Sequence, residues 1–282
     1  MIRHDPDVGR QSFGGGDRPR AFEVTIMSWW PTFRSRHRTR VLPLLAAVLL
    51  VGAPSATPAV VAALPLSGIV IAVDPGHDGG NASHIAQISK LVWIGNRWKA
   101  CDTVGTTTRA GYPEHRFTFA VALRVKARLE ALGATVYLSR TTDTGYGPCI
   151  TTRGRFGASV HARLTISIHG DGAVSTDHGF FVMKPGLVPG YTDDIRAQSA
   201  ILATAVRAGL VASGLRIANY YATNGIISRT DLGTFNLSNV PVVMVELGNM
   251  KNSSDAALMT SAIGRDRYAA GLVGGIRRYL GR

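Results

Sequence analysis

Four residues stand where the pattern of the chain changes, and their types suit hydrolytic chemistry. His77 follows the buried run Ile69-Val70-Ile71-Ala72-Val73 through Asp74-Pro75-Gly76, and Glu114 opens a helical pattern. His169 ends the run Leu164–His169, and Glu246 ends the run Val240–Val245. In open α/β sheets, ligands bind beyond the carboxyl ends of strands, beside helix N-termini. Residues far apart in sequence meet there. Two imidazoles and a carboxylate make a donor set for a catalytic zinc ion, which keeps a further position for water. A second carboxylate within reach can take that water's proton. The expectation is that His77, Glu114 and His169 hold Zn2+ and that Glu246 is the catalytic carboxylate. The spacing is too wide to be diagnostic alone, and the compact HExxH helix motif is missing.

Each residue also has an ordinary reading. Phe117, Val121, Val125, Leu129 and Leu132 form the apolar stripe of the helix begun by Glu114. Glu114 lies on that stripe, whereas His115 points off it. The competing role for Glu114 is a first-turn carboxylate facing the helix dipole. Asp78 and Asp171 each follow a histidine and either orient an imidazole or simply form turns, with turns favoured. His161 sits in a helical pattern as a packing or surface residue. His84 and His178 are in loops that can approach the site. Arg140 and Arg153 suit structural pairing with carboxylates. Thr230 and Asp231 are candidates for substrate contact. Ser167 has no GxSxG elbow around it.

These residues need a scaffold. Strand signals at Gly68–Val73, Thr135–Leu138, Leu164–His169, Gly179–Met183 and Val240–Leu247 alternate with helical ones. The helices are Glu114–Leu132, Thr152–Arg163, Asp193–Ser213, Ser254–Ser261 and Arg265–Leu280. Such alternation predicts a single α/β domain over residues 64–282, with a mostly parallel twisted sheet and helices on both faces. Residues 78–113 are a long polar insertion. A hairpin is expected where Leu91–Ile94 and Arg97–Lys99 flank Gly95-Asn96. With Trp93 and Trp98, this insertion suits a lid, a sugar-contacting hairpin or a structural cover.

Composition narrows the setting. At 45% hydrophobic and 17% charged residues, the 282-residue chain can build a core. Four arginines between positions 34 and 40 precede the apolar run Val41–Val51, and small residues lead to Ala63. That is the pattern of a secretory segment, with Met27 as the expected start, and the run is too short for a convincing membrane span. Residues 1–63 carry eight of the 31 basic and four of the 18 acidic residues, which leaves residues 64–282 at +9. A partner rich in negative charge fits, such as a cell-wall polymer. Export and the lack of any DNA- or RNA-binding pattern exclude nucleic acid. Cys101 and Cys149 are the two cysteines, and in an oxidising compartment they are expected to pair.

The motifs are also recognisable as a set. Asp74-Pro75-Gly76-His77, Glu114, Ser167-Ile168-His169-Gly170-Asp171 and Val245-Glu246-Leu247-Gly248-Asn249-Met250-Lys251-Asn252 resemble the zinc-dependent N-acetylmuramoyl-L-alanine amidases of bacterial peptidoglycan. Leu138–Asp143 and Arg229–Gly233 look like further stretches of that family, and the likeness runs in order from about residue 68 to 280. It implies zinc on His77, Glu114 and His169, with Glu246 catalytic. It also implies cleavage between the lactyl group of N-acetylmuramic acid and L-alanine of the stem peptide, in wall remodelling or cell separation. A secreted, periplasmic or wall-bound monomer is expected, with peptidoglycan as its partner. Gly170, Asp171 and Asn249 depart from the family pattern. An inactive wall-binding protein, or a zinc hydrolase of another wall amide, are the rival readings.

Overall fold

A computed structural model describes residues 63–221 and 224–282. The expected secretory segment, with its start at Met27, lies outside the described residues except for Ala63. The elements in order are β1 (Val70–Pro75), α1 (Ile85–Ile88), β2 (Leu91–Trp93), β3 (Trp98–Ala100), α2 (Glu114–Glu130), β4 (Thr135–Leu138), α3 (Ile150–Ser159) and β5 (Thr165–Asp171). Then come β6 (Phe181–Pro185), α4 (Arg196–Ala212), β7 (Ile226–Arg229), α5 (Gly233–Asn236), β8 (Val242–Asn249), α6 (Ser253–Thr260) and α7 (Ala262–Leu280).

Six strands form one sheet in the order β4-β1-β5-β8-β6-β7. β4, β1, β5 and β8 are parallel. β6 is antiparallel to β8, and β7 runs parallel to β6. The α/β class with a mostly parallel sheet is therefore as the sequence predicts, but β7 is an addition to it. A four-residue strand carries little periodic signal of its own.

Alternation along the strands separates the two faces. Ile71, Val73, Ile166, Ile168, Val243 and Val245 join the main core with Phe117, Val121 and Val125 of α2, Leu202 and Val206 of α4, and Tyr268 and Leu272 of α7. Val242 and Met244 face the other way, into a smaller cluster with Phe181, Met183 and Phe235. Glu246 follows Met244 in that alternation. His169 follows Thr165 and Ser167, and Asp74 follows Ala72, by the same rule. The second face thus carries the polar groups.

The end of β1 is a buried turn whose backbone carbonyls find two arginines. Arg153 Nη1 donates to Asp74 Oδ1 at 2.6 Å and to the Pro75 carbonyl at 2.8 Å, and Nη2 donates to the His77 carbonyl at 3.1 Å. Arg140 donates to the carbonyls of Pro75 and Gly76 at 3.2 and 3.3 Å. Asp74 also accepts from Ser167 at 2.7 Å and from Ser139. Burial would raise the Asp74 carboxyl, but Arg153 and these hydroxyls outweigh it and hold the pKa below its usual value. A depressed carboxylate adds stability above its unfolded pKa of about 3.9, and that stability is lost as pH falls through the folded value. Arg153→Met should cost about 3–5 kcal/mol at pH 7, because it leaves a buried charge unpaired. The loss should shrink on acidification, as urea unfolding at pH 7 and pH 3 would measure.

Several boundaries differ from expectation: β6 runs Phe181–Pro185 rather than Gly179–Met183, and α4 and α7 start at Arg196 and Ala262 rather than Asp193 and Arg265. α3 stops at Ser159 rather than Arg163. His161 lies beyond it, exposed, with a left-handed φ of 53°. The hairpin β2–β3 forms with Trp93 opposite Trp98, and Ile94 and Arg97 belong to its turn.

Candidate metal centre

His77 is set at the end of β1 by a φ of 56°, a conformation that a non-glycine residue keeps only when its surroundings impose it. The arginine-held carbonyls supply that constraint. Its Nδ1–H donates to the Thr103 carbonyl at 2.9 Å, with Asp102 Oδ1 at 3.4 Å. Nε2 is then the atom aimed inward, 3.2 Å from Glu114 Oε1. His169 stands where the β5–β8 register shifts, and its Nδ1 lies 3.0 Å from the same Glu114 oxygen. A Cβ on Gly76 would fall 2.3 Å from the His169 ring, so only glycine lets the two meet.

Glu114 points inward, as the stripe of α2 predicts, and is buried. Its oxygens do not merely face the helix end. Oε1 accepts from Gly170 N–H at 3.1 Å and Oε2 from Thr106 N–H at 2.9 Å. One ligand atom from each of His77, Glu114 and His169 lies within 4.8 Å of the others. Burial would depress the His77 pKa, but the charge of Glu114 and the bonds to Asp102 and Glu114 push it up to about 10. Glu114 is held well below the usual carboxylate range, with His77 and then His169 overcoming the effect of burial. Two imidazoles and one carboxylate, braced from behind by backbone groups, are a donor set that fits a metal ion.

Glu246 joins them from β8, opposite His169 on one side and Phe181 on the other. Among the described residues its Oε2 is buried without a hydrogen-bond partner. Burial, then the charges of Glu114 and Asp171, raises its pKa well above the ordinary value. All four residues line one cleft of about 470 Å³.

The insertion 78–113 forms one wall of this cleft. Residues 102–106 line it and supply the groups that hold His77 and Glu114. Cys101 and Cys149 form a disulfide, Cα to Cα 4.6 Å, that ties the wall to the start of α3. The hairpin is pinned by Asn96 Nδ2 donating to the Thr230 carbonyl at 2.7 Å and Asn236 Nδ2 to the Ile94 carbonyl at 2.9 Å. A structural cover is therefore the reading these contacts support. Cys149→Ser should lower stability by about 4 kcal/mol in the chain-entropy estimate for such a loop. Denaturant unfolding with and without reductant would measure it.

The other candidates have partners of their own. His115 pairs with Asp143 at 2.9 Å. Asp78 accepts from Gly79 N–H in a turn, whereas Asp171 ends β5 and lines the cleft, accepting from Gly172 N–H and from Tyr220 at 2.6 Å. The carboxylate behind an imidazole is Asp102, held down to about 2 by His77 and Arg153 against the effect of burial. His84 stacks on Tyr146, and neither it nor His178 lines the cleft. The Thr230 carbonyl holds the hairpin, and Asp231 pairs with Arg229. Asn249 donates to the carbonyls of Val174 and Asp177, each at 2.8 Å, which fixes the loop after β5. Lys99, Asp102, Thr103 and Thr106 are cleft residues that sequence reasoning did not single out, and Arg229 was marked only as the start of a family-like stretch. Only the half-cystine beside Asp102 hinted at its segment.

Residues 71–278 match the protein family described as N-acetylmuramoyl-L-alanine amidase. The chain is 40% identical over 236 residues to the N-acetylmuramoyl-L-alanine amidase Rv3717 of Mycobacterium tuberculosis, covering 83% of this chain and 94% of that one. It is similar to the crystal structure of the N-acetylmuramyl-L-alanine amidase Ami1 from Mycobacterium smegmatis, with TM-score 0.72 and 39% identity, over 77% of this chain and 98% of that one. The apo form of Ami1 from Mycobacterium abscessus gives TM-score 0.72 and 39% identity, over 76% and 100%. A match this long, on an α/β sheet with a hydrolytic donor set at its strand ends, makes the chain an enzyme of the N-acetylmuramoyl-L-alanine amidase family.

Proposed function

We propose that His77, Glu114 and His169 hold zinc, that Glu246 moves the proton, and that the bond cut joins the lactyl group of N-acetylmuramic acid to L-alanine of the stem peptide. The observation that carries this reading is the unpartnered Glu246 Oε2, buried in the cleft where the three donor atoms converge. An all-nitrogen-and-oxygen set of this size suits zinc. Bound there, zinc would supply Lewis acidity toward the amide carbonyl and a lowered pKa for the attacking water.

The remaining steps belong to the chain's own residues. Glu246 accepts the water proton as the water oxygen bonds to the carbonyl carbon. It then passes a proton to the alanine nitrogen as the C–N bond breaks. Its raised pKa favours that first transfer, since a buried carboxylate beside other carboxylates is a better base than an exposed one. Thr103 and Asp102 keep the His77 ring turned, and Thr106 and Gly170 keep Glu114 from rotating. Residues 64–282 act as the catalytic unit after export, with 1–63 as extension and secretory segment. The net positive charge of that unit holds the anionic wall. Among the described residues no helix is long and apolar enough to cross a membrane.

The test is a digestion of a defined muramoyl-pentapeptide, with and without a zinc chelator, read by mass spectrometry. A free peptide beginning at L-alanine, lost on chelation and restored by zinc, is the expected result. Cleavage inside the peptide would move the scissile bond, and chelator-resistant cleavage would remove the metal from the mechanism.

A further inference from the structure

The cleft does not end at the His–Glu–His cluster. Lys99 of β3 and Arg229 at the end of β7 line it as well. Arg229 has the strand parity of Ile227, which packs with Met183 and Met244 on the second face of the sheet, the face that carries Glu246. Register gives the distance. Phe181 stands opposite Glu246, and Pro185, at the other end of β6, stands opposite Arg229. The Arg229 backbone is therefore roughly 13 Å down the strands and, two strands over, roughly 10 Å across them from Glu246, and its side chain reaches the cleft.

One carboxylate serves both cations. Asp231 accepts from Arg229 Nε and Nη2, each at 2.7 Å. Lys99 Nζ donates to the Asp231 carbonyl at 2.9 Å and lies 3.8 Å from its carboxylate. Among the described residues, Arg229 Nη1 meets only the Tyr221 hydroxyl, at 3.4 Å. Two positive charges against one negative leave an excess of +1, while Glu114, Glu246 and Asp171 make the metal end rich in carboxylates. The Lys99 and Arg229 side chains are 36% and 29% exposed, so water and solutes reach both. Their placement needs no substrate, because the hairpin is clamped to residues 230 and 236.

We propose that Lys99 and Arg229 form a subsite for a carboxylate of the stem peptide, with the peptide running from the scissile bond along β6 and β7. This rests on the amidase reading above. Beyond its alanine the stem peptide is acidic, and an extended peptide advances roughly 3.4 Å per residue. Carboxylates borne by its second and third residues therefore fall within reach of the two side chains. A guanidinium held from behind by Asp231 keeps Nη1 free to donate to such a group, and Lys99 adds a second cation.

The experiment compares two N-acetylmuramoyl-pentapeptides of one sequence, one with every stem carboxylate free and one with them as primary amides. Turnover is measured on the wild-type chain, Arg229→Gln and Lys99→Gln. Binding is measured by calorimetry on the full chain carrying Glu246→Gln. The wild type should prefer the free acid by about tenfold, mainly through KM, as one or two charge-assisted hydrogen bonds imply. Either substitution should bring the acid-to-amide ratio within about twofold of one. Lys99→Gln changes only a partly exposed side chain, so the test survives a folding defect in Arg229→Gln. Equal wild-type turnover of both forms, or an equal loss on both in the variants, would overturn the subsite. If neither form is cleaved, tighter binding of the acid form leaves the subsite standing and the amidase reading fails. Equal binding of the two overturns the subsite itself.

Discussion

Glu246→Gln is expected to lower kcat by about 10²- to 10⁴-fold, the range that general base catalysis supplies, with KM and metal content little changed. Glutamine has the same shape and cannot accept a proton. The side chain stands outside the set of atoms within 4.8 Å that His77, Glu114 and His169 contribute, so metal should stay at one per chain. Steady-state kinetics with metal analysis of the same sample would check both. Loss of metal together with activity would make Glu246 a ligand instead.

The same substitution carries a stability signature. Burial and the neighbouring carboxylates raise the Glu246 pKa. A carboxyl with a raised folded pKa destabilises the fold increasingly as pH rises from its unfolded value toward the folded one. Metal-free Glu246→Gln protein should therefore melt higher than metal-free wild type at pH 8, with a smaller difference at pH 4. A catalytic group kept at a cost to the fold is the expected trade.

The second large effect concerns Glu114→Gln. Both carboxylate oxygens are engaged: Oε1 with Gly170 N–H and the two imidazoles, Oε2 with Thr106 N–H. An amide NH2 in either place sets a donor against a donor. Stoichiometric metal should be lost, and activity should fall at least as far as in Glu246→Gln. In the metal-free wild type, His77 is pushed up to about 10 by Glu114 and Asp102 against the effect of burial, and is therefore protonated at neutral pH. A metal ion must displace that proton, so uptake should release about one proton and weaken on acidification. Calorimetric titration in buffers of different ionisation enthalpy would count the proton. Binding without proton release would show that His77 is neutral before the ion arrives.

Much of this site is legible in the chain because its physics is local. The apolar run of β1 meets Pro75, which has no N–H for a ladder, and then Gly76, so the strand ends at Pro75 and His77 stands just past it. The apolar stripe of α2 turns Glu114 inward and His115 outward whatever surrounds the helix. Alternation along β8 puts Glu246 on the face opposite Val243 and Val245. Alternating strand and helix patterns determine the α/β class, and the order of the four motifs is specific enough to point to the family.

The rest depends on pairing across long separations. β7 is too short to announce itself, and its existence follows from the edge that β6 offers. Asp102, Thr103 and Thr106 act through position and through backbone groups, which carry no residue-type signature; the disulfide and the docked hairpin place them. Lys99 and Asp231 are separated by 132 positions, and only the pinned hairpin and the register of β6 and β7 bring Lys99, Asp231 and Arg229 to one end of the cleft. Local periodicity determines which residues face a site. Tertiary contacts decide which of them share it, because the closure of those distances is driven by packing that no short stretch contains.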